Sequence, residues 1–186
     1  MARAFVAIVP PRDVLDAVGK ISWRASHRPA ELALPRLLGP RWTTRAQWHL
    51  TLQFLGTRVD LDAAASALAA VRESSVRVRL GGIGAFPTAR RANVLWLGVI
   101  EGASQLKALA GAVNEAMVEV APAETREYHP HLTLVRLARP ADVRATVGTS
   151  RGRVGPGWSA ERLTLFESVT DPSGARYRAH AELRLT

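Results

Sequence analysis

The chain has 186 residues, 47% of them apolar, and no cysteine, which allows a sizeable core and excludes disulfides, thiolate nucleophiles and cysteine-ligated zinc. Its 25 lysines and arginines against 16 acidic residues give a net charge of +9, carried by arginine except at Lys20 and Lys107; guanidinium forks suit phosphate-bearing partners, although an arginine bias equally follows from a GC-rich genome. No run reaches the roughly 18–20 apolar residues of a membrane span and MARAFVAIVPPRD lacks a signal peptide's long apolar core, so a cytoplasmic protein without a membrane partner is expected.

In chain order, Arg3 to Val9 reads as a strand, and Pro10-Pro11 opens a helix carrying Val14, Leu15, Val18 and Ile21. A loop spans His27 to Thr44, and a strand beginning near His49 ends at Gly56. Asp60 or Asp62 caps a helix through Leu61, Ala65, Leu68 and Val71. Val76–Leu80 is a strand, Gly81-Gly82-Ile83-Gly84 a turn or bulge leading through Phe86-Pro87 to Arg90 and Arg91, and Asn93–Ile100 a further strand. Ser104 caps a helix bearing Leu106, Leu109, Val113, Met117 and Val120. After a loop from Pro122 to Tyr128 comes another strand, and Pro140 and Asp142 open a short helix through Val143 and Val147. Gly152–Gly157 reads as turns or bulges. Trp158–Val169 and Ala175–Leu185 close the chain as strands joined by a turn from Asp171 to Gly174.

Seven residues recur: His49-Leu-Thr-Leu-Gln-Phe-Leu55 and His131-Leu-Thr-Leu-Val-Arg-Leu137. In a strand, residues i and i+2 share a face, so His49 joins Thr51, and His131 joins Thr133. The alternate leucines, Leu50, Leu52, Leu132 and Leu134, are core candidates. Each half offers a helix, a motif strand, a second helix and a strand pair, which makes a duplicated α+β unit with pseudo-twofold symmetry, a single domain over residues 1–186. If the motif strands lie side by side, two imidazoles and two hydroxyls meet in one cleft. That set suits acid–base chemistry on an oxyanion, with the hydroxyls donating to non-bridging oxygens. Strand stability alone asks for β formers and does not require histidine twice at one offset.

These paired H-x-T motifs, about eighty residues apart within HLTLQFLG and PHLTLVR, resemble those of the two-histidine phosphoesterase superfamily. The likeness is greatest to the RNA 2',3'-cyclic phosphodiesterases, long called RNA 2'-5' ligases. It extends to the N-terminal strand, Arg41-Trp42-Thr43, GAFP with Arg90-Arg91, the VLWLGV strand and Phe166-Glu167-Ser168. The resemblance implies a bilobal α+β fold, two antiparallel sheets facing a central cleft with helices outside. It implies hydrolysis of RNA 2',3'-cyclic phosphate ends to 2'-phosphomonoesters without metal or other cofactor, His131 acting as general base and His49 as general acid. The letters alone leave that division of roles open.

The resemblance also brings Arg136 into the phosphate site, although strict alternation from His131 and Thr133 points it to the opposite face unless a bulge intervenes. Phe54 reads as core or as a platform for a base, and Trp42, Trp48, Arg90 and Arg91 as cleft lining or, for the tryptophans, core. His129-Pro-His131 has the spacing of a metal pair but no nearby carboxylate or histidine completes it, and His27 and His180 read as surface residues. The expected partner is RNA with a cyclic phosphate end, or a cyclic nucleotide, bound by a monomer. Alternatives are an enzyme for small cyclic nucleotides or 2'-5' joining, and a non-catalytic RNA-end-binding module.

Overall fold

A computed structural model describes residues 3–28, 30, 39–149, 152–171 and 174–186. Strands β1 (Arg3–Ile8), β2 (Arg41–Trp42), β3 (Leu50–Thr57), β4 (Val76–Phe86), β5 (Ala92–Glu101), β6 (His131–Ala141), β7 (Arg153–Ala160), β8 (Arg162–Asp171) and β9 (Gly174–Arg184) alternate with helices α1 (Arg12–His27), α2 (Leu61–Ala69), α3 (Ala103–Ala116) and α4 (Arg144–Thr149). The strands run antiparallel in the order β7-β4-β5-β6-β3-β1-β8-β9, with β2 pairing on β6. Each half of that order has four strands with its motif strand innermost. The halves meet where β3 touches β6, at one register pair, Leu50↔Leu132. The two expected sheets are thus the two arms of a single curled sheet.

Alternation sorts the side chains. Ala4, Val6 and Ile8 of β1, Leu50 and Leu52 of β3 and Leu132 and Leu134 of β6 are buried on the core face, under helices that cover that side. α1 packs on β7 and α3 on β3, so each of these helices crosses to the other arm, whereas α2 covers β8 and β9 and α4 covers β4. The opposite face is left for the cleft.

Several elements differ from the sequence reading. Gly81–Gly84 lies inside β4, where the register against β5 shifts between Gly81 and Ile83, so it is a bulge and not a turn. The residue capping α3 is Gly102, not Ser104: its φ is 87°, and a Cβ there would lie 2.1 Å from the Arg77 carbonyl oxygen, so the turn out of β5 requires glycine. Pro140 belongs to β6 and not to a helix start. The β5 ladder jumps from Val94↔Arg136 to Ala92↔Ala141, and a residue without an N–H fits that unpaired stretch. Trp158–Val169 is two strands, broken at Glu161, because β7 pairs with β4 while β8 pairs with β1. The second glycine patch runs along β7. The loop expected from His27 to Thr44 contains β2, and α1 runs through His27; residues 29 and 31–38 of that loop, and 172 and 173 of the β8–β9 turn, lie outside the described residues.

The cap of α2 was expected at Asp60 or Asp62. It is Asp60, whose carboxylate accepts from the Asp62 and Ala63 amides at 3.0 and 3.1 Å. Asp60→Ala should therefore cost about 1 kcal/mol, a melting-temperature loss of about 2–4 °C for a chain this size, measurable by thermal denaturation; an unchanged melting temperature would contradict the cap.

Candidate active site at the seam of the two arms

Antiparallel pairing at Leu50↔Leu132 sets residue 49 across from 133 and 51 across from 131, so each histidine faces the threonine of the other repeat. In a regular ladder, directly opposed residues have Cβ atoms about 4.5–5.5 Å apart and diagonal ones, such as 49 and 131, lie about 7–8 Å apart. All four side chains are half-buried on the face opposite the core leucines. His49 is the residue just before β3, and His131 is the first of β6.

The duplication includes the backbone groups that hold the rings. His131 Nδ1 donates to the His129 carbonyl at 2.7 Å, and His49 is bonded to the backbone of Gln47, again two residues upstream. A carbonyl only accepts, so the neutral His131 ring carries its proton on Nδ1 and leaves Nε2 free as a base. The Gln47 backbone is itself fixed by a 3₁₀ turn, Arg45–Gln47, where the Gln47 side chain accepts from the Thr44 amide at 3.0 Å and donates to the Ala175 carbonyl of β9 at 2.9 Å.

Aromatic rings pack around both imidazoles. Phe5 stacks on His49 at 4.8 Å and Tyr177 meets it edge-on at 5.2 Å, with Phe166 behind at 6.3 Å. Phe86 meets His131 edge-on at 4.9 Å and Trp96 lies 5.8 Å away. The Trp96 ring occupies the space over Gly84, where a Cβ would fall 2.1 Å from it; that glycine is a seat for the indole.

Arg136 reaches this face through a bulge. Leu95 pairs with Val135 and Trp96 with Thr133, so Leu134 is the extra residue, and burial changes phase after it: Leu132, Leu134, Val135 and Leu137 are buried and Arg136 is exposed. The first repeat has the same device. Ala7 pairs with Thr51 and Val6 with Gln53, leaving Leu52 extra. Phe54 is therefore 57% exposed and 6.0 Å from Phe5, so of its two readings, core or platform, it is not core. Thr43 clamps the β6 bulge, its amide 2.9 Å from the Leu134 carbonyl and its hydroxyl 2.8 and 2.9 Å from the Thr133 and Leu134 carbonyls.

The sequence profile of the 2'-5' RNA ligase superfamily matches residues 15–172. The chain belongs to that superfamily. Among curated relatives, an RNA 2',3'-cyclic phosphodiesterase of Aeropyrum pernix is 32% identical over 143 residues, covering 74% of this chain and 81% of its own. A protein of the same name from Escherichia coli is 32% identical over 142 residues, 75% and 74% of the two chains, and one from Archaeoglobus fulgidus is 28% identical over 183 residues, 95% and 96%. Among solved structures, a Thermus thermophilus protein superposes with a TM-score of 0.74 at 26% identity over 98% of this chain and 97% of that one. E. coli LigT complexed with 3'-AMP gives 0.72 at 25% identity over 100% and 98%.

In this 2'-5' RNA ligase superfamily member the other expected cleft residues are placed unequally. Trp48 is buried, its indole Nε1 donating to the Thr43 hydroxyl at 2.9 Å, and half-buried Trp42, across from buried Val135, packs against the core. Arg90 and Arg91 are exposed at the β4–β5 turn, beyond Phe86. His129 is exposed, 3.7 Å from the Glu127 carboxylate, and His27 and His180 are at the surface. Sequence reasoning did not single out Phe5, Phe86, Trp96, Phe166 and Tyr177 as site residues; a signal existed for Phe5 and Trp96 alone, the aromatics of β1 and β5, which flank the motif strands.

Burial is the main cause of the site's electrostatics. It lowers the His49 pKa to about 4, with the positive charges of His131 and Arg136 adding to the effect and the Gln47 bond opposing it. Burial also lowers His131, again with Arg136 adding and the His129 carbonyl opposing. Arg136 acts on Tyr177 as well, so its charge reaches both imidazoles and the phenol. Both rings are neutral near pH 7. Since the unfolded chain binds their protons more tightly, stability should fall below pH 6.5, His49 contributing up to about 1.4 kcal/mol per pH unit down to about 4 and His131 adding to the fall. Urea denaturation across that range checks this, with His49→Phe flattening the slope; pH-independent stability would contradict it.

Proposed function

We propose that the chain is an RNA 2',3'-cyclic phosphodiesterase, hydrolysing a cyclic phosphate at an RNA 3' end to a 2'-phosphomonoester with two histidines and no metal. The carrying observation is the seam itself: two imidazoles from equivalent strands, each backed by a backbone partner two residues upstream, with Arg136 beside both. The names of the Aeropyrum, E. coli and Archaeoglobus relatives support the substrate.

In the reaction, His131 Nε2 takes a proton from water as its oxygen attacks phosphorus, and His49 gives a proton to the departing 3' oxygen. The P–O3' bond breaks as the new P–O bond forms, leaving a 2'-phosphate and a free 3'-hydroxyl; solvent then restores both imidazoles. Thr51 and Thr133 donate to the non-bridging oxygens and Arg136 balances their charge. A buried His49 gives up its proton readily, which suits a general acid. It is protonated at neutral pH only when an anion lies against it, so binding of the phosphodiester supplies the charge that loads the acid. Phe54 and the Phe5–Tyr177 cluster offer a ring surface for the base.

His49→Ala and His131→Ala should each lower turnover about 10²- to 10⁴-fold, the double variant losing far less than the product because both act in one transition state. Thr51→Ala or Thr133→Ala should cost about 10- to 10³-fold. Turnover of a cyclic-phosphate-ended RNA should persist in excess chelator, and kcat/KM should decline as pH rises above about 6.5, where less of the acid is protonated. Near-full activity in both histidine variants, or loss in chelator, would overturn the mechanism; tight RNA binding without turnover would favour a binding module.

A further inference from the structure

Beyond the reacting phosphate, the β2–β6 ribbon presents an electrostatic conflict. Arg41 and Arg136 are direct register partners and so share the cleft face. Like charges in that position destabilise a strand pair, and among the described residues no carboxylate is bonded to either guanidinium. Arg139 lies farther along β6, exposed, and Arg90 and Arg91 stand at the adjoining β4–β5 turn, joined to this end of β6 by the bond from the Val143 amide to the Ala89 carbonyl at 2.7 Å. The local carboxylate, Asp142, is held by Arg144 at 2.7 Å. The sheet's other directly paired arginines, Arg162 and Arg184, have a carboxylate beside them, Glu182 at 3.6 Å from Arg162, and Arg79 bonds Glu101 at 3.1 Å.

We infer that Arg41, paired with Arg136, is a subsite for the internucleotide phosphate next to the reacting end, with Arg139, Arg90 and Arg91 continuing a track for the RNA backbone. This rests on the phosphodiesterase reading and adds a substrate class to it: the ends of RNA chains in preference to cyclic mononucleotides. Arg136 faces the terminal phosphate between the histidines, and Arg41 stands directly across from it on the neighbouring strand. A second phosphate seated between the two guanidiniums relieves their repulsion, an affinity that a mononucleotide, lacking that phosphate, does not gain.

The test compares kcat/KM for a trinucleotide ending in a 2',3'-cyclic phosphate with that for a 2',3'-cyclic mononucleotide, in wild type, Arg41→Gln and Arg139→Gln, over a range of salt. Arg41→Gln should lower the trinucleotide value about tenfold more than the mononucleotide value. It should also reduce the salt dependence of trinucleotide binding by about 0.7 in the log–log slope, one phosphate contact on a single strand. Its melting temperature should be unchanged or raised, because the cross-strand repulsion is gone. Arg139→Gln should give a smaller selective loss. Equal losses on both substrates, or no loss on either, would overturn the subsite while leaving the phosphodiesterase reading intact. Failure of the wild type to turn over either substrate would instead remove the reading on which it rests.

Discussion

The site depends on a single strand contact, the pairing of Leu50 with Leu132 where the two arms of the sheet meet. Both leucines are fully buried, so the contact is held by the core and does not have to be supplied by the polar groups beside it. Because register in an antiparallel ladder fixes which side chains face one another, this one pair places histidine 49 across from threonine 133 and threonine 51 across from histidine 131. A slip of one residue would send all four into the core and four leucines into the cleft.

The residues just after each H-x-T matter as much as the motif. An extra leucine, Leu52 in one repeat and Leu134 in the other, reverses the alternation so that Phe54 and Arg136, two equivalent positions, both return to the cleft face. One repeat thereby contributes an aromatic ring and the other a guanidinium. A bulge of this kind re-aims a side chain without moving the strand that carries it, and Thr43, from a segment ninety residues earlier, fixes the one in β6.

The limits of the sequence reading have their origin in the same geometry. Period-two alternation within four residues made the histidines, the threonines and the four leucines legible, and repetition made the pseudo-symmetry legible. Phe54 was left between core and cleft because a bulge leaves no mark in local alternation; its position depends on how β1 pairs with β3. Trp48 and Trp42 were ambiguous for a related reason, since the pairing of Trp42 with buried Val135 and the hydrogen bond from Trp48 to Thr43 exist only in the folded chain. The rings of Phe5, Phe86, Trp96, Phe166 and Tyr177 gather around the imidazoles from strands far apart in the chain, and only sheet order brings them together.

Those rings also set the electrostatics of the site, because they exclude water from both imidazoles. Desolvation keeps both imidazoles neutral and leaves Arg136 as the positive charge beside them, so in the proposed mechanism an anion is needed before the site can hold a proton to donate. The most direct measurement is nitrogen NMR of the histidine rings while a 2'-phosphorylated nucleoside is titrated in. The account predicts that the pKa values of His49 and His131 both rise together, with one dissociation constant, as a single phosphate settles between them. Movement of one ring alone, or of neither, would contradict it.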